Sequence, residues 1–481
     1  MSTALLSHSY FYPLDRKQWE LKQPYPPLMT IQAASLVREM GIQVSLFDSN
    51  LQEGPDTIKP VLHQQKPKYF ILVDDGFNYL TKMCLTVMRE SAFYMIAEAK
   101  KMGCTVIVNS SDSTDHYEKY FNHGATYVIG GEVEETLTEL LAALESGKSV
   151  KEIKGLFLKE GDETKRNSSR SVLHDLDKLP LPAWDLVDIE AYRSIWKKYH
   201  GYFSLNIAST RGCPYKCNWC AKPIYGNRYH SRSPEHVIRE IEYLLKNYKP
   251  DHFWMCDDIF GLKPGWVNAF NQLIQERKIK FRYKIQSRVD LLLQENTIDA
   301  LAQSGADTVW VGAESGSQKI LDAMDKGTKV EQIKQATQLL KRHHIKPAFF
   351  LQFGYLGETR EDIMATLNMV LELMPNEIGI SVSYPLPGTK FYEKVKESLK
   401  EKKNWTDSDD LAMMFSNTYS PEYYKILHRY VHNRYRIQRG INQLRKSFAL
   451  NGTAFRNVAS MLYNLPLSWI HGYKLNKLGQ A

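Results

Sequence analysis

The chain has 481 residues, of which 43% are hydrophobic and 24% charged, and it carries a net charge of +8. That length suggests two or three domains, each with its own core, and the composition is that of a folded globular protein rather than a disordered or fibrous one. After Glu422 there are ten Lys and Arg and no acidic residue, so the rest of the chain is near neutral, which argues against a general nucleic-acid binder.

Residues 1–158 alternate strand-like and helix-like stretches. Strands are predicted near Ala4–Leu6, Gln43–Phe47, Tyr69–Val73, Thr105–Val108 and Thr126–Ile129. Helices are predicted between them, among others at Met29–Met40, Lys82–Lys100 and Glu134–Glu145. This alternation predicts an α/β fold with a doubly wound parallel sheet, in which ligands bind beyond the C-terminal strand ends. Those ends carry Asp74-Asp75-Gly76, Asn109-Ser110-Ser111 and Gly130-Gly131-Glu132, small and polar residues that leave room for a flat ligand. The same residues are also ordinary turn formers. No G-x-G-x-x-G follows the first strand, which argues against a dinucleotide.

Residues 159–203 read as a linker, with a charged Ser-rich stretch at 161–170 and an extended Leu179-Pro-Leu-Pro-Ala-Trp184. From 204 to 400 the pattern becomes six βα units. Strands are predicted at Leu205–Ala208, His252–Cys256, Phe281–Gln286, Thr308–Val311, Pro347–Phe353 and Ile378–Tyr384. Ser233-Pro234-Glu235 supplies a cap, a first-turn proline and an early acid for the first helix.

Directly after the first of these strands comes Cys213-Pro-Tyr-Lys-Cys217-Asn-Trp-Cys220. Three thiols at C-x3-C-x2-C suit a soft metal centre, an iron–sulfur cluster or zinc. A structural zinc normally closes with four protein ligands, and no fourth follows nearby. In a [4Fe-4S] cube, three cysteines would leave one iron open to a substrate. Cys256 beside Asp257 is a candidate reactive thiol, with a buried strand cysteine as the default, and the same holds for Cys84 and Cys104. Tyr229, His230 and Arg232 follow this loop, where they are candidates for contacting substrate, with a solvated turn as the default.

Residues 401–481 form a basic extension. Ser420-Pro421-Glu422 starts a helix with an apolar stripe at Leu427, Val431, Leu444 and Phe448, and a second segment, Val458–Tyr473, is expected to break at Pro466. The default is a helical cap on the barrel. The alternative is a segment lying on an anionic membrane surface near a lipid-like substrate.

The cysteine spacing, with Trp219 just before the last cysteine, resembles the radical S-adenosylmethionine (SAM) superfamily. The first domain and the Trp184-Asp185 linker resemble the cobalamin-binding branch of that superfamily. The resemblance rests on Pro26-Pro27-Leu28, Arg38–Gly41, Asp48, Gly124-Ala125 and Gly131–Thr136. It implies a Rossmann-like cobalamin domain, a partial (β/α)6 TIM-type barrel and a helical extension. The D-x-H-x-x-G signature is absent, so no lower cobalt ligand is named. Cys213, Cys217 and Cys220 would bind [4Fe-4S] and with it SAM, which yields a 5′-deoxyadenosyl radical. Asp257 and Asp258 would face the SAM amino group, Arg288 its carboxylate, and Glu314 with Ser315 the ribose; Trp219 would line the site. Cobalamin would lie against Asp74, Asp75, Gly76, Ser110, Ser111, Gly130, Gly131 and Glu132.

The implied reaction is methylation of an unactivated carbon in a small-molecule or lipid-like substrate, with oxidative cyclisation or rearrangement as the runner-up. A flavodoxin or ferredoxin would supply electrons. An RNA methylthiotransferase would need a second cysteine cluster that Cys84 and Cys104 alone cannot form, and a non-catalytic corrin sensor would not need the three thiols. Clustered cysteines without a secretory signal fit a cytoplasmic location, or the inner membrane surface.

Overall fold

The computed structural model describes residues 2–77, 85–161, 163–220, 225–399, 404–446 and 452–480, so Cys84 and Phe448 lie outside the described residues. The chain forms two compact units. The first comprises residues 1–214, 221–285 and 404–410, and the second residues 215–220, 286–403 and 411–481.

The first unit contains a seven-stranded sheet of β1 (Thr3–Ser7), β2 (Gln43–Phe47), β3 (Tyr69–Val73), β4 (Thr105–Asn109), β5 (Tyr127–Ile129), β6 (Leu156–Glu160) and β7 (Glu163–Arg166). The order is β2-β1-β3-β4-β5-β6-β7. β1 to β5 pair in parallel, whereas β6 and β7 add antiparallel. β3 is buried along its whole length, as expected of a central parallel strand covered on both faces. The order reverses beside β1, and a ligand crevice opens where such a reversal occurs. The sheet reaches Arg166, so the domain edge expected at 158 falls inside β6. Register with β5 explains why: Ile129 pairs with Leu156 and Tyr127 with Leu158.

The expected linker is also structured. It forms a helix over Ile189–His200. The Trp184 indole is fully buried and donates to Glu240 Oε1 at 3.1 Å, and Arg38 grips Asp185 with two hydrogen bonds of 3.0 and 2.9 Å. Residues 404–410 join the first unit through Ser408, whose hydroxyl donates to Asp15 at 2.6 Å.

A second sheet has six strands. β8 (Ser204–Ile207), β11 (His252–Met255) and β12 (Arg282–Ser287) run parallel, as do β13 (Ala306–Glu314), β14 (Lys346–Phe353) and β15 (Glu377–Val382). Its order is β15-β14-β13-β12-β11-β8, the sequential order of a partial βα barrel. Between β8 and β11, a two-strand ladder of β9 (Thr210–Arg211) and β10 (His230–Ser231) closes the stem of the cysteine loop. The helix Pro234–Tyr248 starts where the sequence predicts, with the Ser233 hydroxyl accepting from the His236 N–H at 3.1 Å. The helix Arg360–Leu373 is opened by a Thr359–Asp362 capping box.

The tail forms two helices, Pro421–Lys446 and Gly452–Leu478. The second runs through Pro466 rather than breaking there. Proline removes one backbone donor and crowds the preceding turn, which weakens a helix without always ending it.

Candidate functional site

The cysteine loop leaves β9 through Gly212. Its φ is +77°, and a Cβ there would meet the Arg228 carbonyl oxygen and, at 3.0 Å, Tyr225 Cβ, so a side chain is excluded twice over. Cys213, Cys217 and Cys220 are half-buried and form no disulfide.

In the second unit, Asn218 anchors the middle of this loop. Its backbone N–H donates to Met324 O at 3.0 Å, and its side-chain amide donates to Ala323 O at 2.8 Å and to Asp325 at 3.1 Å. Its carbonyl oxygen accepts from the Tyr355 hydroxyl at 2.7 Å. Sequence reasoning passed over Asn218 and Tyr355 because they meet 137 residues apart.

Two cations face the loop. Lys326 is buried and pairs with Glu314 at 2.8 Å. Burial by itself would lower its pKa, but Glu314 and Cys217 outweigh that, and the net shift is upward. Arg288 lies 3.6 Å over the Tyr215 ring. Its pKa also rises against the effect of burial, through Asp290, Tyr215 and Cys217. The Trp219 indole nitrogen is buried with no hydrogen-bond partner. Half-buried thiols, two cations acting on Cys217 and an unanswered donor beside Cys220 all suit an anionic, sulfur-rich group. Among the described residues no three His, Cys, Asp or Glu side chains converge on a single ion. A cubane takes its thiolates on different irons, so its ligands stand further apart than those of one ion.

Several expected SAM contacts are occupied within the protein. Asp257 is fully buried, and its oxygens accept four hydrogen bonds of 2.6 to 2.9 Å from Ser209 and Thr210. Burial nevertheless pushes its pKa up to about 6. Asp257 thus locks the turn after β8, and Asp258 beside it is half-buried. The Arg288 fork holds Asp290 at 3.0 and 3.1 Å instead of standing open. Glu314 is committed to Lys326, and a Cβ on Gly312 would lie 2.6 Å from Lys326 Nζ, so the space at that glycine serves this ion pair. Ser315 bonds Thr366 at 3.0 Å, on the helix Arg360–Leu373.

In the first unit, Arg211 is buried and holds Glu132 at 3.1 Å and Glu134 at 2.5 Å. Burial and repulsion from Glu134 raise Glu132, against the pull of Arg211. The second oxygen of Glu134 is buried without a partner. Beside this cluster lies a cavity of about 400 Å³, walled by Leu28, Phe77 and Leu179, with Thr210, Arg211 and Arg232 on its polar side. Arg232 also pairs with Glu240 at 2.6 Å, and burial raises the pKa of Tyr229, so these two residues are not in the solvated turn expected of them.

The other strand-end residues turn out to hold the fold. Asp74 accepts from the Ser9 N–H and hydroxyl at 2.7 and 2.8 Å. Asp75 accepts from the Phe77 N–H, and burial raises its pKa to about 6. The Gly76 N–H donates to Met29 Sδ at 3.0 Å. Ser110 caps the short helix Ser111–Asp115, in which Ser111 is buried. Gly130 backs onto the Phe157 ring, where a Cβ would come within 2.8 Å. Gly131, by contrast, has open space where a Cβ would go, at a φ of +82°. A flat ligand at these strand ends would therefore meet backbone and an apolar wall rather than free polar side chains. Cys104 and Cys256 are buried strand-end thiols, as expected.

The family model of the radical SAM superfamily matches residues 207–370. The chain carries a radical SAM domain. That domain begins in β8 and takes in all three cysteines, Arg288, Glu314 and Lys326. An uncharacterized methyltransferase of Pyrococcus horikoshii is 28% identical over 58% of this chain and 60% of its own length. The anaerobic magnesium-protoporphyrin IX monomethyl ester cyclase of Synechocystis is 22% identical over 83% of this chain and 79% of its own. The radical SAM methyltransferase TsrM from Kitasatospora setae, solved with cobalamin and a [4Fe-4S] cluster, superposes with a TM-score of 0.68 at 20% identity, covering 82% of this chain and 78% of that one. The likeness confirms the α/β architecture of a Rossmann-like sheet followed by a partial barrel.

Proposed function

We propose that this radical SAM domain holds a [4Fe-4S] cluster on Cys213, Cys217 and Cys220, cleaves SAM, and works with cobalamin carried by the first domain to methylate an unactivated carbon. The observation that carries the reading is the loop of three half-buried thiols outside any disulfide, set at the C-terminal end of a parallel strand and faced by Lys326 and Arg288. With cluster and SAM bound, the chemistry supplied is a 5′-deoxyadenosyl radical; a corrin would supply the methyl group. The chain's own part is positional. Asn218 fixes the loop, Lys326 and Arg288 offset thiolate charge, and Asp258 offers a carboxylate for the SAM ammonium. The buried Trp219 N–H offers a donor to the bound group. The cavity beside Arg211 is apolar on one wall, which suits a corrin or substrate face.

A small-molecule or lipid-like substrate and a low-potential donor such as flavodoxin or ferredoxin complete the reading. Cyclisation or rearrangement is the second reading, favoured by the similarity to the Synechocystis cyclase over most of both chains. The deciding experiment is anaerobic reconstitution with hydroxocobalamin, reductant and SAM, followed by mass spectrometry of 5′-deoxyadenosine and S-adenosylhomocysteine. Both products, the second dependent on cobalamin, support methylation. 5′-Deoxyadenosine alone supports the second reading. Neither product, from protein shown to carry the cluster, rejects both.

A further inference from the structure

We propose that the outward face of the last helix, Gly452–Leu478, lies on the surface of an anionic membrane. The inner face of this helix buries Ala454, Met461, Asn464, Ser468 and Leu475, a mixture of apolar and small polar residues, and the helix packs on Pro421–Lys446. Gly440 explains how closely the two pack, because a Cβ there would strike Met461. Asn433 and His471 hydrogen-bond across the pair at 3.2 Å.

The opposite face carries Phe455, Leu462, Trp469 and Tyr473, with Tyr463 and Ile470 alongside. Their spacings of 7, 7 and 4 residues put the first four on one stripe about five turns long. They are not marginally exposed: Trp469 is 77% accessible, Phe455 66% and Tyr473 65%. Single exposed apolar residues are ordinary, but a continuous aromatic stripe marks an interaction surface.

Charge selects the occupant. Arg456, Lys474 and Lys477 are exposed on the same helix, and Lys425, Arg429, Arg436, Arg439 and Arg445 on its neighbour. No acidic residue follows Glu422. Tryptophan and tyrosine seat at the headgroup level of a bilayer, and lysine and arginine are drawn to anionic lipid. No helix of the described residues is long and apolar enough to cross a membrane, so the helix lies along the surface rather than through it.

The test uses the full chain in co-sedimentation with phosphatidylcholine vesicles, with and without phosphatidylglycerol. Binding is expected only with the anionic lipid, and it should weaken in high salt. The variant Phe455→Ala/Trp469→Ala/Tyr473→Ala should lose more than tenfold in partition, and Lys474→Gln/Lys477→Gln about fivefold per charge. These side chains are exposed, so thermal unfolding should not change, which separates lost binding from lost folding. Binding that ignores anionic lipid, or that survives the triple substitution, overturns the proposal. So does a dimer seen by sedimentation velocity that the triple substitution disperses while vesicles are not bound, since the face would then be a contact between two copies.

Discussion

Asn218→Ala tests whether the cysteine loop is held from below. The substitution removes the amide donors to Ala323 O and Asp325 and the acceptor for Tyr355, at 2.8, 3.1 and 2.7 Å. Each bond is worth about 0.5–1.5 kcal/mol net. The Tyr355 hydroxyl keeps a second acceptor, Ala323 O, at 2.9 Å, so the loss settles near two bonds. About 2 kcal/mol corresponds to a roughly thirtyfold rise in the opened population of the loop. If iron leaves through that opened state, the reconstituted Asn218→Ala protein should lose its cluster to a chelator about ten to thirty times faster than the parent. The assay is decay of the cluster absorbance under anaerobic conditions, with circular dichroism to confirm the fold. A rate within about twofold of the parent would refute the claim that the Met324–Asp325 turn holds the loop.

Other expectations follow from the same structure. Cys217→Ala should abolish bound iron and 5′-deoxyadenosine formation while leaving circular dichroism unchanged; retention of a full cluster by iron and sulfide assay would contradict the ligand assignment. Glu358 is fully buried, accepts the Gly354 N–H at 2.6 Å and has its other oxygen without a partner, and burial raises its pKa from 4.5 to about 8. The folded protein keeps that proton where the unfolded chain has released it, so stability falls as pH rises from about 4.5 to about 8. Glu358→Gln should therefore match the parent in urea unfolding below pH 4.5 and exceed it increasingly toward pH 8; parallel curves would show that Glu358 is not held neutral. Arg211→Met strands Glu132 and Glu134 in the interior and should cost about 3–5 kcal/mol in urea unfolding. Adding Glu132→Gln and Glu134→Gln should restore most of that loss, and no recovery would mean that the arginine acts through packing alone.

Much of this molecule is legible locally. β2 and β3 and the helix Glu134–Glu145 begin and end where apolar periodicity and turn residues predict. Caps such as Ser233-Pro234 and Thr359–Asp362 are local hydrogen-bonding devices, so they can be read without a fold. The cysteine motif is equally local, because three thiols on one short loop are read without a partner from elsewhere.

What the sequence left open is decided between distant residues. Nothing near Arg211 announces that Glu132 and Glu134, nearly 80 residues earlier, will share its guanidinium. Asp257 and Arg288 suit SAM by residue type, and only packing shows that they also bond Ser209, Thr210 and Asp290. Lys326 carries no motif, yet burial brings it to Glu314 and to the field of Cys217. The tail makes the same point at its surface. Composition alone shows an aromatic and basic segment without acids, but only the pairing of two helices decides which of its residues turn inward and that its aromatic rings face water.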